Sequence, residues 1–128
     1  GGPSGDLYIL FDVKKHPLYE RHGDDLVIEV PITFTQATLG DHIKVPTPHG
    51  DVKLKIPSGT QSQTTFRLRG KGAPNVRTRR NGDEHVIIKV VTPTTINKNQ
   101  SKLFEQLGKT DLTKDSTIWE KFKKALKH

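Results

Sequence analysis

Six stretches of the chain carry apolar residues at every second position, the periodicity that puts alternate side chains on one face of a β-strand. The first holds Leu7, Ile9, Phe11 and Val13. The second and longest holds Leu26, Ile28, Val30, Ile32 and Phe34, with Glu29 and Thr33 turned the other way. Ile43 with Val45, and Val52 with Leu54 and Ile56, flank Thr47-Pro48-His49-Gly50, where Pro and Gly supply the backbone angles of a tight turn, so a hairpin is expected. Phe66 and Leu68 oppose Arg67 and Arg69 in the fifth stretch, and Val86, Ile88 and Val90 form the sixth. Strands should dominate the first ninety or so positions. Pro31 interrupts the hydrogen-bond ladder of the second stretch and marks it as an edge strand or bulge, open to strand addition by an extended peptide.

Alternation fails between Thr35 and Gly40, where one short helical turn is expected. After Pro93 the period lengthens: Ile96, Gln100, Leu103, Phe104 and Leu107 share a helical face that Gly108 ends. Thr110 to Lys114 reads as a polar linker. A last helix starts near Thr117, which forms a capping-box pattern with Glu120, and its stripe is Ile118, Trp119, Phe122, Ala125 and Leu126. A weak internal echo joins Gly5-Asp6 and its strand to Gly82-Asp83 and its strand, suggesting duplicated β units. On that reading residues 1–16 are the last strand of a preceding, truncated β-domain, 17–93 a complete β-sandwich domain and 94–128 a helical tail.

Composition narrows the function. The chain has 128 residues, enough for one main core. It contains no cysteine, which removes disulfides, thiolate nucleophiles and Cys-based zinc sites and makes a reducing cytoplasm the expected location. No apolar run approaches the roughly 20 residues that span a bilayer, so no membrane partner is expected. A formal charge of +7 favours acidic partners through long-range attraction.

The chemical motifs are weak. The six histidines lack metal-ligand spacing and read as surface or turn residues, while Asp24-Asp25 reads as a solvated turn rather than an acid–base pair. Gly70-Lys71-Gly72 has no strand-to-helix transition around it to bind phosphate, and no nucleophile elbow occurs. No catalytic residue and no metal site are assigned, and the chain is expected not to be an enzyme. Arg67, Arg69, Lys71, Arg77, Arg79 and Arg80 span 67–80 without an acidic residue. They allow two readings: a nucleic-acid groove, which would want interleaved aromatics, or a solvated strand edge and loop that resists aggregation, the favoured one.

The segments His16-Pro17-Leu18-Tyr19-Glu20-Arg21-His22-Gly23-Asp24-Asp25-Leu26, Ala37-Thr38-Leu39-Gly40, Pro57-Ser58-Gly59-Thr60-Gln61 and Phe66-Arg67-Leu68-Arg69-Gly70-Lys71-Gly72 follow one another in the chain. In that order they closely resemble the C-terminal substrate-binding region of bacterial DnaJ co-chaperones, from Gly1 to about Gly108. The tail around Trp119-Glu120-Lys121-Phe122 is similar to the ends of DnaJ proteins of Gram-positive type. The resemblance implies a mainly β fold, a DnaJ C-terminal-type β-sandwich with one short helix followed by one or two amphipathic helices. It implies binding of unfolded or partly folded client polypeptides, delivery to a DnaK-type chaperone through a J-domain absent here, and homodimerisation through the C-terminus. The zinc modules of the family are absent too, so no cofactor is expected.

By resemblance, client side chains are held at Ile28, Val30, Ile43 and Val45, in a shallow depression between two neighbouring strands. Dimerisation falls to Ile118, Trp119, Phe122 and Leu126. Nucleic-acid binding through 67–80 and a purely structural dimerisation unit are the alternatives. Three departures from the family pattern stand out: Gln63 where Gly is usual, Glu84-His85 where Leu and an aromatic are common, and an Arg-rich 76–81 where Gly is frequent.

Overall fold

The computed structural model describes residues 19–114 and 116–126. The expected strand from Leu7 to Val13 and the segment 1–16 lie outside these residues. The chain divides into two compact units, one ending at Thr92 and one starting at Pro93.

In the first unit, strands β1 (Tyr19–His22), β2 (Asp25–Thr33), β5 (Thr65–Leu68) and β8 (Glu84–Val91) form one sheet in the order β1-β2-β8-β5. A short helix, α1 (Phe34–Leu39), leads from β2 to a separate two-stranded ladder of β3 (Asp41–Val45) and β4 (Val52–Ile56). Two-residue strands β6 (Pro74–Asn75) and β7 (Arg80–Asn81) pair in an excursion between β5 and β8. One core joins the layers: Leu26, Ile28, Ile32, Val86 and Ile88 from the large sheet are buried together with Val45 and Ile56 from the ladder. The fold is mainly β, as the alternation predicts.

The longest apolar stretch is flanked on both sides only as far as Ile28; beyond it no described strand lies on the β1 side, where Pro31 falls. β2 pairs with β8 in parallel along Leu26–Thr33, and with β1 along Asp25–Ile28. Leu26 donates its N–H to Asp83 O at 2.8 Å, so the even-numbered amides of β2 face β8. Pro31, an odd position, has its missing N–H on the opposite side and leaves the β2–β8 ladder intact. Thr33 then caps α1: its Oγ1 accepts the Gln36 N–H at 3.1 Å, and Gln36 Oε1 accepts the Thr33 N–H at 2.9 Å.

Carboxylates and close-packed glycines hold the start of β2 to the 70–83 excursion. Asp24 O accepts the Ala73 N–H at 2.8 Å and its Oδ2 accepts Asn75 Nδ2–H at 2.7 Å. Asp25 Oδ1 accepts the Asp83 N–H at 2.7 Å and Oδ2 accepts from His85 Nε2 at 2.9 Å. Asp83 in turn accepts from the Gly70 N–H at 2.9 Å and from Arg67. Asp24-Asp25 is therefore not a merely solvated turn, and His85 is not a surface residue but a member of this network. Backbone bonds lead in favouring the charged forms here: the Asp83 N–H, then His85, holds the Asp25 carboxyl below its usual range, and the Gly70 N–H, then Arg67, does the same for Asp83.

The second unit contains α2 (Lys98–Gly108) and α3 (Thr117–Leu126). Asn97 caps α2 through a capping box with Gln100, whose N–H reaches Asn97 Oδ1 at 2.8 Å. Ile96 lies before the helix, and Gly108 is its last residue rather than the residue beyond it. The expected Thr117–Glu120 capping box is displaced too: the Glu120 N–H bonds Ser116 O at 3.0 Å, which makes Thr117 the first residue inside α3. The linker is ordered locally by Asp111 Oδ1, which accepts from both the N–H and the hydroxyl of Thr113.

Candidate functional site

The four residues expected to hold a client divide into two pairs. Ile28 and Val45 have 1% and 0% of their surface exposed and belong to the core, where they present no face to a ligand. Val30 and Ile43 are half-buried and pack against that core from outside it. Alternation alone could not separate them, because burial depends on which other layer covers a strand face. The two strands concerned are not ladder neighbours: β2 lies inside the large sheet and β3 pairs with β4 alone among the described residues.

A second strand edge left open among the described residues is on β3. Thr47 and Gly50 exchange both backbone bonds, at 3.2 and 3.1 Å, and thereby close a two-residue hairpin loop as the turn chemistry predicts. Hydrogen-bonded and non-hydrogen-bonded pairs alternate from there, so Val45↔Val52, Ile43↔Leu54 and Asp41↔Ile56 bond across the ladder. The N–H and C=O groups of His42 and Lys44 consequently point away from β4, to the free edge. His42 N–H is taken by Asp41 Oδ1 at 2.7 Å. Among the described residues nothing takes the backbone N–H or C=O of Lys44. Side chains repeat the division, with half-buried Ile43 turned to the core side and His42 and Lys44 exposed on the other.

A second concavity was missed by the sequence analysis. On the outer face of the large sheet, Val27 and Pro31 of β2 and Ile87 and Val91 of β8 floor a groove of about 490 Å³, with Glu20, Glu29 and Lys89 at its rim. Its signal lay in the odd positions: the middle strands are apolar on both faces, as parallel neighbours usually are. Glu29 and Lys89 approach to 3.7 Å across it.

Among the described residues no group of three or more His, Asp or Glu side chains is placed to hold a metal ion, and no helix is long and apolar enough to cross a membrane. The basic stretch 67–80 is not one field of free charge, since Arg67 is paired with Asp83 on edge strand β5, while Arg77, Arg79 and Arg80 are exposed around the β6–β7 hairpin. On α3, Ile118, Trp119, Phe122 and Leu126 are all exposed, and the Trp119 and Phe122 rings meet edge to face, 6.3 Å apart.

Two of the unusual residues have a structural meaning. Gln63 has φ +74°, the left-handed region in which Gly is free of strain. Glu84 is fully buried, with no hydrogen-bond partner for either carboxylate oxygen, opposite Leu26 and Leu68 on the flanking strands.

Comparison with known proteins agrees with this architecture. The family model described as DnaJ C terminal domain matches residues 1–93. The chain is 54% identical over 132 aligned positions to the chaperone protein DnaJ of Geobacillus sp. (strain WCH70), 56% over 133 to that of Geobacillus kaustophilus and 48% over 131 to that of Bacillus licheniformis. In each case 99% of this chain is covered but only 35% of the relative, so the chain spans about a third of the length of these proteins. With the family model matching well over half its residues, the chain belongs to the DnaJ C-terminal domain family.

Proposed function

We propose that the chain binds extended, non-native polypeptide along the free edge of β3, as the client-holding C-terminal part of a DnaJ-type co-chaperone. The observation that carries this reading is the edge itself: unpaired Lys44 backbone groups beside the half-buried apolar surface of Ile43 and Val30. Strand addition takes affinity from backbone hydrogen bonds and asks little of the client's sequence, which suits a reader of unfolded chains. Ile28 and Val45 support the surface from within. The relatives named chaperone protein DnaJ support a chaperone role; on the same reading the chain works without catalysis or a cofactor of its own, in the cytoplasm. Handing the client to a DnaK-type chaperone belongs to parts of such proteins that this chain does not span. Dimerisation through the exposed apolar face of α3 completes the reading, giving each client two binding arms.

Titration of the isotope-labelled chain with a permanently unfolded polypeptide tests it. The amide signals of His42, Ile43 and Lys44 should shift, and Ile43→Asp should weaken binding while thermal melting shows a folded domain. Shifts confined to Val27, Ile87 and Val91 would move the client to the outer groove. Shifts at Arg77 to Arg80 with an oligonucleotide, and none with polypeptide, would favour nucleic acid.

A further inference from the structure

The solvent face of the β3–β4 ladder carries only positive or titratable basic groups between its ends. In register, His42 stands opposite Lys55 and Lys44 opposite Lys53. Both are non-hydrogen-bonded pairs by the alternation set at Thr47 and Gly50. At such positions side chains are at their closest across a ladder, and like charges directly opposite are destabilising. All four residues are exposed. None of the three lysines has an ion pair or a side-chain hydrogen bond among the described residues. Elsewhere on the unit Arg21, Arg67 and Lys89 have the acidic neighbours Asp24, Asp83 and Glu29, while Arg69, Lys71, Arg77, Arg79 and Arg80 have no ion pair among the described residues but do not face one another across a ladder of this length. Folding alone gives no reason for Lys44 to face Lys53.

From this we infer that the exposed face of the ladder reads acidic side chains, and that the clients it favours are extended segments with Asp or Glu at alternate positions between apolar residues. The inference rests on the β3-edge reading of client binding and adds the substrate class. Along a strand, residues two apart are separated by about 6.6 Å, a repeat that an added client strand shares with β3. Its residues on the core side meet Ile43. Those on the other side come beside His42 and Lys44, with Lys53 and Lys55 about 4.8 Å further on. No Phe, Tyr or Trp lies on this face, which leaves His42 as its one ring able to stack on a base, so a polypeptide suits it better than a nucleic acid. The formal charge of +7 draws acidic segments from a distance.

Three labelled peptides of equal length test the proposal with the full chain, sharing apolar residues at odd positions and carrying Glu, Ser or Lys at even ones. Fluorescence anisotropy should show the Glu peptide binding roughly three- to tenfold tighter than the Ser peptide at low salt, with the Lys peptide weakest. The preference should shrink as ionic strength rises. A Lys53→Ser, Lys55→Ser double variant, which leaves the β3 edge untouched, should lose the preference yet bind the Ser peptide as the parent does. Equal binding of the Glu and Ser peptides, or a preference that survives in the double variant, overturns this inference while leaving the client edge intact. Failure of the Ser peptide to shift the Lys44 amide overturns the edge reading and the inference with it. An oligonucleotide that shifts the Lys44 and Lys53 signals more strongly than the Glu peptide would reassign the face to nucleic acid.

Discussion

Asp41 Oδ1 accepts the backbone N–H of His42 at 2.7 Å, filling a donor on the free edge of β3 that an added strand would otherwise use. Oδ2 is held by Gln36 Nε2 at 3.1 Å, so the N-cap network of α1 fixes the carboxylate in place. The bond from Gln36, then that from His42, keeps the Asp41 carboxyl below its usual range and hence charged near neutral pH. An unpaired strand edge invites aggregation, and a local acceptor on its donor is one way to blunt it.

Removing that acceptor should open the edge. A net hydrogen bond contributes about 0.5–1.5 kcal/mol, so Asp41→Ala should tighten client binding roughly two- to tenfold and raise self-association at high concentration. Asp41→Asn keeps an acceptor oxygen without the charge and should behave like the parent. Equal client affinity for the Ala variant and the parent would show that strands do not add here.

Glu84 makes stability depend on pH in an unusual direction. Burial pushes its carboxyl from the ordinary 4.5 up to about 8, because its charged form has no partner in the core. Between those values the folded chain holds a proton that the unfolded chain has lost, so this group makes stability fall as pH rises from about 4.5 to about 8. The interval corresponds to at most about 5 kcal/mol. Urea midpoints for the parent should decline between pH 5 and pH 9 more steeply than those for Glu84→Gln. Glu84→Leu should raise stability at pH 8 by a few kcal/mol, since it replaces a buried unpaired carboxyl with an apolar side chain. Parallel pH profiles for parent and Gln variant would place the carboxyl in contact with water.

Strand positions were legible because apolar alternation survives wherever one face of a strand is buried, as in β2, β3, β4, β5 and β8. The Tyr19–His22 strand escaped because only Tyr19 of its four residues is buried, and the β6–β7 pair because two-residue strands have no period. Pro31 does fall on the side of β2 that no described strand covers beyond Ile28, but the free edge of β3 is visible only from the pairing, since no Pro or other marker in that strand announces it. Which of Ile28, Val30, Ile43 and Val45 are accessible was not legible for a related reason: a period of two gives the face, while the covering layer decides that Val30 and Ile43 stay half-buried and Ile28 and Val45 do not.

Gly72 of the Gly70-Lys71-Gly72 motif and Gly82 of Gly82-Asp83 serve close packing rather than phosphate binding, while Gly70 takes a left-handed φ of +72° in open space. A Cβ at Gly72 would stand 2.5 Å from Asp83 O, and one at Gly82 would meet Asp24 O more closely still, both of them backbone atoms. Neither neighbour can rotate away. Gly82→Ala should cost roughly 3 kcal/mol or more, or prevent folding, through the forced backbone shift. Gly108→Ala, where nothing lies within 4 Å, serves as the control and should be neutral or slightly stabilising in its helix. Comparable denaturation midpoints for Gly82→Ala and parent would show that the β2 start and the 70–83 excursion separate without loss.

The exposed face of α3 carries the dimerisation proposal. Isolated helices of fewer than about 12–15 residues are marginal in water, and α3 has 10, so it gains stability from a packing partner. Each large apolar side chain removed from water contributes about 1.5–3 kcal/mol, and Ile118, Trp119, Phe122 and Leu126 from two copies together can exceed the entropic cost of association. Lys121 and Lys124, beside that stripe, remain hydrated at its margins. Light scattering across a concentration series should give a dimer mass that falls toward the monomer on dilution, with Trp119 emission moving to the red in parallel. Trp119→Ala together with Phe122→Ala should leave a monomer whose β domain melts as the parent's does, because neither residue belongs to the core cluster of the first unit. A parent that is monomeric at every concentration, with Trp119 emission indifferent to dilution, would assign the helix a role other than self-association.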